Sequence, residues 1–320
     1  MWWIALLPRA DAPSSPPEPT PELAWWALRW TPRVCRIDEA VLLEVQASER
    51  LFGGRRALLQ RVRAQARLAG ASAMATAPTA LAALALLRTL DTAPPAGPDL
   101  PAAPDAPLRA TGCGPRHLAA ALDRLSLRHL SAARPHADAL DQLGCLQLGH
   151  LRALPRDGVA RRWGAGLLQA LDLAYGLATE SWPWIVLPEG FDQALECPSA
   201  IEHAAGMGFG AQRLLNRLSA WLAARQAGVL AFSLHWTHDR LRRGELRGGR
   251  LALRTAQPTR DVGHLARLLA EHLARTSLAA PVTHLRLVAN EVAPLPTTSL
   301  SLLPESRAAG RAGAGWAQLV

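Results

Sequence analysis

Two adjacent acids, Asp38 and Glu39, stand inside RIDEAVLLEV at 36–45, a run that otherwise reads as a β-strand. Ile37, Val41, Leu43 and Val45 are apolar and β-prone, so the acids fall at a strand edge or bend. Neighbouring carboxylates there suggest a divalent-cation site. A two-metal site for phosphoryl transfer calls for a further carboxylate from another strand, with cations about 3.5–4 Å apart. No third acid presents itself. Asp11 lies past Pro8 in a proline-rich stretch, and Glu44 reads as a solvated or ion-paired strand position. The plainer role for Asp38 and Glu39 is to cap a turn or pair with Arg36 on the surface.

The second chemistry on offer is basic. The chain of 320 residues carries 35 Lys and Arg against 26 acids, a formal charge of +9, and every basic side chain among them is Arg. A planar guanidinium suits phosphate, so the excess favours a nucleic-acid partner. A coding bias toward Arg, Ala, Leu and Pro accounts equally well for the identity of the base, and less well for the excess. Cys35, Cys113, Cys145 and Cys197 are scattered, without a CxxC pair or His at ligand spacing, and read as small buried residues in a reducing compartment. MWWIALLP has no basic flank and no small-residue cleavage site, so it is expected to be a strand rather than a signal peptide. No run is long and apolar enough to predict a membrane span.

These residues must be positioned by a series of elements. WWIALL, 2–7, predicts a buried strand, and DAPSSPPEPTP, 11–21, a linker. Thr20-Pro21-Glu22 is a helix start, followed by Leu23, Trp26, Ala27 and Trp30 on a one-sided apolar face. A strand over 34–45 comes next, then a break at Gly53-Gly54 and a helix over 55–69 with Leu58, Val62 and Ala66 on one stripe. ASAMATA, 71–77, predicts a strand, and TALAALALLRTL, 79–90, an apolar helix. Six prolines over 91–107 mark the end of a small α/β layer.

Residues 115–178 read as helical, with two Gly-interrupted turns. Leu143-Gly144-Cys145 has the shape of a helix-hairpin-helix turn, where Gly permits positive φ and lets backbone N–H groups approach a phosphate. Arg152, Arg156, Arg161 and Arg162 gather near it. The alternative is a plain helical bundle; the Arg cluster favours contact with a DNA backbone. The last third predicts strand 193–198, helix 205–226, strands 229–237 and 248–256, helix 261–275 and strand 282–290. That β-α-β-β-α-β order predicts a ferredoxin-like sheet with helices on one face. HDRLRRGELRGGRLALR puts Arg240, Arg242, Arg243, Arg247, Arg250 and Arg254 on its middle hairpin. Such a hairpin serves either as a charge-protected edge or as a DNA contact.

TPRVCRIDEAVLLEV followed by RLFGG resembles the second catalytic strand of Y-family translesion DNA polymerases, most closely the ImuB-type mutagenesis accessories. LGCLQLGHLRALPRDGVARRWG, WPWIVLPEGFD, the basic β-α-β-β-α-β end and QPTRDVGHLARLLAEHLARTSLAAPV are similar to that group's thumb and little-finger domains. The resemblance implies a multidomain α+β protein. Its parts would be a reduced palm over 1–110, a helical thumb over 111–190, a little finger over 191–303 and a tail over 304–320.

Departures from the pattern bear on activity. Catalytic members carry a metal-binding Asp and sugar-screening aromatics on the first strand, where this chain has WWIALLP. RADAPSSPPEPTP stands in place of a fingers subdomain. Thr79 and Ala80 stand where the family has an Asn-Lys pair reaching the triphosphate, and Gln147 and His150 where its hairpin has Thr and Asp. Asp38 and Glu39 alone would hold at best one weakly bound Mg²⁺. The resemblance with these losses implies a DNA-binding accessory of damage-induced (SOS) mutagenesis, without polymerase activity or cofactor, cytoplasmic and associated with a bacterial nucleoid. Its partners would be primer-template or damaged DNA and an error-prone C-family polymerase. SLSLLP, 299–304, is similar to clamp-binding peptides, with Leu300, Leu302 and Leu303 as the anchor for a sliding clamp. Two alternatives stay open: a minimal active Y-family polymerase using Asp38, Glu39, Mg²⁺ and an unplaced acid, and a degenerate reading frame.

Overall fold

The computed structural model describes residues 1–9, 21–91, 108–238 and 248–295. In chain order the first unit runs β1 (Trp3–Pro8), α1 (Pro21–Ala27), β2 (Val34–Ile37), β3 (Ala40–Glu44), a 3-10 turn (Gln46–Phe52), α2 (Arg55–Ala66), β4 (Ala71–Ala77), α3 (Ala80–Asp91) and β5 (Arg109–Gly112). The five strands lie in the order β2-β3-β1-β4-β5, and only β4 and β5 pair in parallel. Alternation along β1 divides its side chains between two cores. Trp2, Ile4 and Leu6 meet α1 and the Leu58, Val62 and Ala66 stripe of α2. Trp3 and Ala5 meet α3 and the helical segment that follows.

The strand expected over 34–45 is a hairpin. Ile37 pairs with Ala40 and the chain reverses through Asp38-Glu39, with Asp38 at φ 51°. Asp tolerates this left-handed conformation because its short side chain bonds locally, which makes the acid pair the tip of a tight turn. α1 is also less one-sided than its spacing suggests. Trp25 is buried on the face away from Trp26 and joins the core of the C-terminal unit, so α1 is wedged between the two.

The helical segment holds α4 (Leu118–Asp123), α5 (Ala137–Asp141), α6 (Leu148–Ala153), α7 (Arg156–Trp163) and α8 (Ala165–Tyr175), joined by 3-10 turns at Leu127–His129 and Ser131–His136. α4 and α6 approach so closely that a Cβ on Gly149 would lie 2.9 Å from the Asp123 carbonyl oxygen. Residues 182–191 then cross the first unit without regular structure. Trp184 stacks on Trp3 with centroids 6.0 Å apart, Ile185 N–H donates to Val34 O, and Phe191 enters the last core.

The C-terminal unit runs β6 (Asp192–Ile201), α9 (Gly208–Ala224), β7 (Ala227–His238), β8 (Gly248–Thr259), α10 (Val262–Leu273) and β9 (Val282–Pro294). Its β-α-β-β-α-β order is as expected, but the strand order β6-β9-β7-β8, antiparallel throughout, is not ferredoxin-like. The last strand, rather than the third, separates the first two. β9 and β7 bury Leu285, Leu287, Phe232 and Leu234 under α9 and α10, whereas β6 has no buried residue and is confined to an edge. Among the described residues no helix covers the other face of this sheet, which bears Ser233, His235, Arg250 and Arg286. No helix among the described residues is long and apolar enough to cross a membrane.

Candidate functional site

At the hairpin tip the two acids share a buried base. Arg88, the one charged residue in the first eleven positions of α3, is 6% exposed. Its Nε donates to Glu39 Oε1 at 2.6 Å, and its Nη2 donates to Asp38 Oδ2 at 2.7 Å and Glu39 Oε2 at 3.0 Å. Nη1 donates to the His129 carbonyl at 2.6 Å and the Ser131 hydroxyl at 2.9 Å. These bonds are as many as a guanidinium has N–H groups. Ser131 Oγ donates to Asp38 Oδ2, and Arg134 stands 3.7 Å from Glu39. Among the described residues the acids are therefore bonded by Arg88, at the tip of the turn they form.

Electrostatics follow this geometry. Burial alone would raise the Asp38 and Glu39 carboxyls, but Ser131 and Arg88 for the first, and Arg88 for the second, outweigh it and hold both below the usual carboxylate range. Burial alone would lower Arg88; Glu39 and Asp38 outweigh that and raise it. His129, beside them, is lowered by burial and by Arg88 and Arg134.

A divalent cation does not fit these residues. It would have to displace a buried guanidinium that occupies carboxylate oxygens of both acids. The position after Leu6, which pairs with Val41, is Leu7. Among the described residues no group of three or more His, Cys, Asp or Glu gathers into a cation site. Glu44 is 2% exposed rather than solvated, and is spent on Arg33 at 3.1 Å and the Gln46 N–H at 3.0 Å.

Thr79 and Ala80 lie at the opposite end of α3 from Arg88, Ala80 standing eight residues, or about 12 Å of helical rise, from it. There the Glu180 carboxylate accepts from Ala80 N–H at 2.8 and 3.0 Å and from Leu81 N–H at 3.4 Å. Thr79 Oγ1 donates to the Ala174 carbonyl at 2.8 Å. An internal carboxylate thus takes the place an external anion would have at this helix N-terminus.

Gly144 adopts φ 76° in the turn between α5 and α6. Gln147 starts α6 in extended conformation without a side-chain cap, and Leu146 N–H instead reaches His150 Nδ1 at 3.4 Å. The arginines near it differ. Arg152 pairs with Asp123 at 2.7 Å and Arg156 with Asp172 at 2.7 Å, whereas Arg161 donates to its own helix at Asp157 O and Arg162 stacks over Trp163.

On the helix-free face of the C-terminal sheet, Arg286, His235 and Arg250 stand in one cross-strand row. Arg250 Nη2 donates to Ser233 Oγ at 3.0 Å, and Arg254 pairs with Glu291 at 2.7 Å. Arg286 and His235 escaped the sequence reading, although their alternation along predicted strands could have placed them on this face. Arg240, Arg242, Arg243, Arg247 and the Leu300, Leu302 and Leu303 segment lie outside the described residues.

No family model matches the sequence, and no curated protein does. Among solved structures the chain is similar to "Dbh Ternary Complex (substrates partially disordered)", with 12% identity, a TM-score of 0.39, and coverage of 86% of this chain and 78% of that one. It is similar to "Insertion ternary complex of Dbh DNA polymerase" at 12% identity and a TM-score of 0.39, covering 86% and 77%. It is also similar to a Y-family DNA polymerase chimera, at 14% identity and a TM-score of 0.34, covering 86% and 77%.

Proposed function

We propose that this chain is a DNA-binding protein of Y-family polymerase shape that does not join nucleotides, an ImuB-type accessory of translesion synthesis. The observation that carries the reading is Arg88. In the strand run that resembles a catalytic one, the carboxylates that would hold metal are neutralised by a base from α3, and Asp38 is bonded by Ser131 from the 3-10 turn. Support for DNA binding comes from the hairpin at Gly144 with Arg161 and Arg162 nearby, and from the helix-free sheet face bearing Arg250. The error-prone polymerase and the sliding clamp enter as partners on the sequence resemblance alone.

Primer extension tests the reading. The chain, supplied with Mg²⁺ or Mn²⁺ and all four dNTPs, is expected to bind a primer-template and add no nucleotide. Incorporation that disappears with Asp38→Ala would instead make it a minimal polymerase, with the acid pair released from Arg88 on DNA binding.

A further inference from the structure

On the C-terminal sheet, the face turned away from α9 and α10 sets one imidazole between two guanidinium groups. His235 of β7 lies directly opposite Arg250 of β8 on one side and Arg286 of β9 on the other. Residues paired in this way share a face, with Cβ atoms about 4.5–5.5 Å apart. Side chains flanking this row are short: Ser233 and Thr237 on β7, Gly248 and Ala252 on β8, and Ala194 on β6 beyond Arg286. An open depression of about 820 Å³ lies over the row.

Among the described residues, the charges facing His235 come from three strands. From β6, Asp192 accepts from Arg286 Nε at 2.6 Å, and Glu196 stands opposite His284. From β9, besides Arg286, His284 lies opposite Thr237 with its Nδ1 3.0 Å from Thr283 Oγ1. From β8, Arg254 pairs with Glu291, whereas Arg250 donates to Ser233 Oγ through Nε and Nη2, at 3.2 and 3.0 Å, and bonds no carboxylate among the described residues. Burial, then Arg250 and Arg286, lower the His235 imidazole below its usual range, against Asp192.

We propose that His235 takes up a proton when a DNA phosphate binds across Arg286 and Arg250, so that this face holds DNA more tightly as pH falls. The inference rests on the DNA-binding reading above and adds a regulation to it. In the free chain a charged imidazole would be a third cation in the row. A phosphodiester stays anionic wherever His titrates, so once seated it offsets the repulsion and offers an oxygen to the imidazolium N–H. Protonation and phosphate binding then favour each other by the same factor. The imidazole holds its proton to higher pH in the complex than in the free chain. The gain in affinity is therefore complete below the free value and lost as pH rises through the bound one. Both arginines keep their charge throughout.

Fluorescence anisotropy of the full chain with a labelled primer-template at fixed salt, from about pH 5.5 to pH 8, tests it. The parent is expected to bind at least fivefold more tightly at the acid end. His235→Gln is expected to bind within twofold at the two ends, and His284→Gln to keep the parent's dependence. Calorimetry of the parent near neutral pH, in two buffers of unlike ionisation heat, is expected to show net proton uptake and needs no variant. Equal parent affinity at both ends, no proton uptake, or the parent's dependence kept in His235→Gln would each overturn the proposal while DNA binding stands. Dependence lost in His284→Gln and kept in His235→Gln would overturn it in favour of His284. A parent that binds no primer-template at either end would overturn the DNA-binding reading, and the proposal with it.

Discussion

Arg88 lies between Asp38 and Glu39 with bonds of 2.7 and 2.6 Å, and so ties the tip of the β2–β3 hairpin to α3 and to the 3-10 turn at Ser131. A buried guanidinium costs several kcal/mol to desolvate, and removing it leaves two carboxylates without their counter-charge. Arg88→Ala is predicted to lose about 2–4 kcal/mol in urea unfolding, toward the low side of the range for broken buried pairs. The discount reflects the acids, 41% and 27% exposed, which can recover water. Arg88→Met, which fills the space, should lose less than Arg88→Ala. Equal losses would mean that the lost ion pairs and hydrogen bonds alone, and not packing, matter at this position.

The same triad sets an acid limb. The Asp38 and Glu39 carboxyls are lowered in the folded chain, so the unfolded chain binds protons more readily. Their stabilisation is present in full above the ordinary carboxylate range and is lost as pH falls through the lowered values. Thermal midpoints between about pH 5 and pH 2 should therefore fall more steeply in the parent than in Asp38→Asn/Glu39→Gln, given the roughly 3.9–4.3 reference range. Parallel curves would remove the role given to Arg88.

Most of this architecture is legible in the residues because it rests on local pattern. The Leu58, Val62 and Ala66 stripe and the apolar alternation of Phe232, Leu234 and Trp236 face their cores as spacing requires. What spacing does not carry is long-range pairing. Asp38 and Arg88 are 50 residues apart, and Ala80 and Glu180 are 100 apart. One signal for the first was present: a single Arg within TALAALALLRTL is a charge that must find a partner. The strand order of the last unit was hidden for the same reason, since β-α-β-β-α-β allows more than one way to seat the fourth strand.

Glu180 presents the opposite sign. Burial raises its carboxyl, against the Ala80 and Leu81 N–H bonds that lower it, so this group gains stability as pH falls through its raised value. Glu180→Gln keeps an acceptor for Ala80 and sheds the buried charge; its stability at pH 7 should lie within about 1 kcal/mol of the parent. Glu180→Ala removes the acceptor of the Ala80 and Leu81 N–H groups, leaving Thr79 Oγ1 on Ala82 N–H at 3.3 Å, and should cost about 1–2 kcal/mol. Chemical denaturation of the two variants side by side checks the difference.

Gly149 is predicted to admit no side chain. An added Cβ would meet the Asp123 Cβ and carbonyl oxygen at 2.9 Å, and Asp123 is held in turn by Tyr175 and Arg152, each at 2.7 Å. Gly149→Ala must push α4 from α6, and about 1–3 kcal/mol is expected from such overpacking. A thermal midpoint unchanged from the parent would show that the hairpin gives way without cost.

DNA binding should divide the hairpin arginines by what each already holds. Arg156 bonds Asp172 at 2.9 and 2.7 Å, so Arg156→Ala affects the fold as well as any phosphate contact. Exposed pairs of this kind contribute little, so the fold should survive. Arg161 and Arg162 bond no carboxylate among the described residues, and their guanidinium groups are available to a backbone phosphate. Each phosphate contact removed flattens the dependence of log affinity on log salt by about 0.9 on a duplex. Arg161→Ala/Arg162→Ala is therefore predicted to lower primer-template affinity and to reduce that slope by about 2, with the thermal midpoint unchanged. Salt titration of a fluorescent primer-template would measure it, and a slope equal to the parent's would place the DNA elsewhere on the molecule.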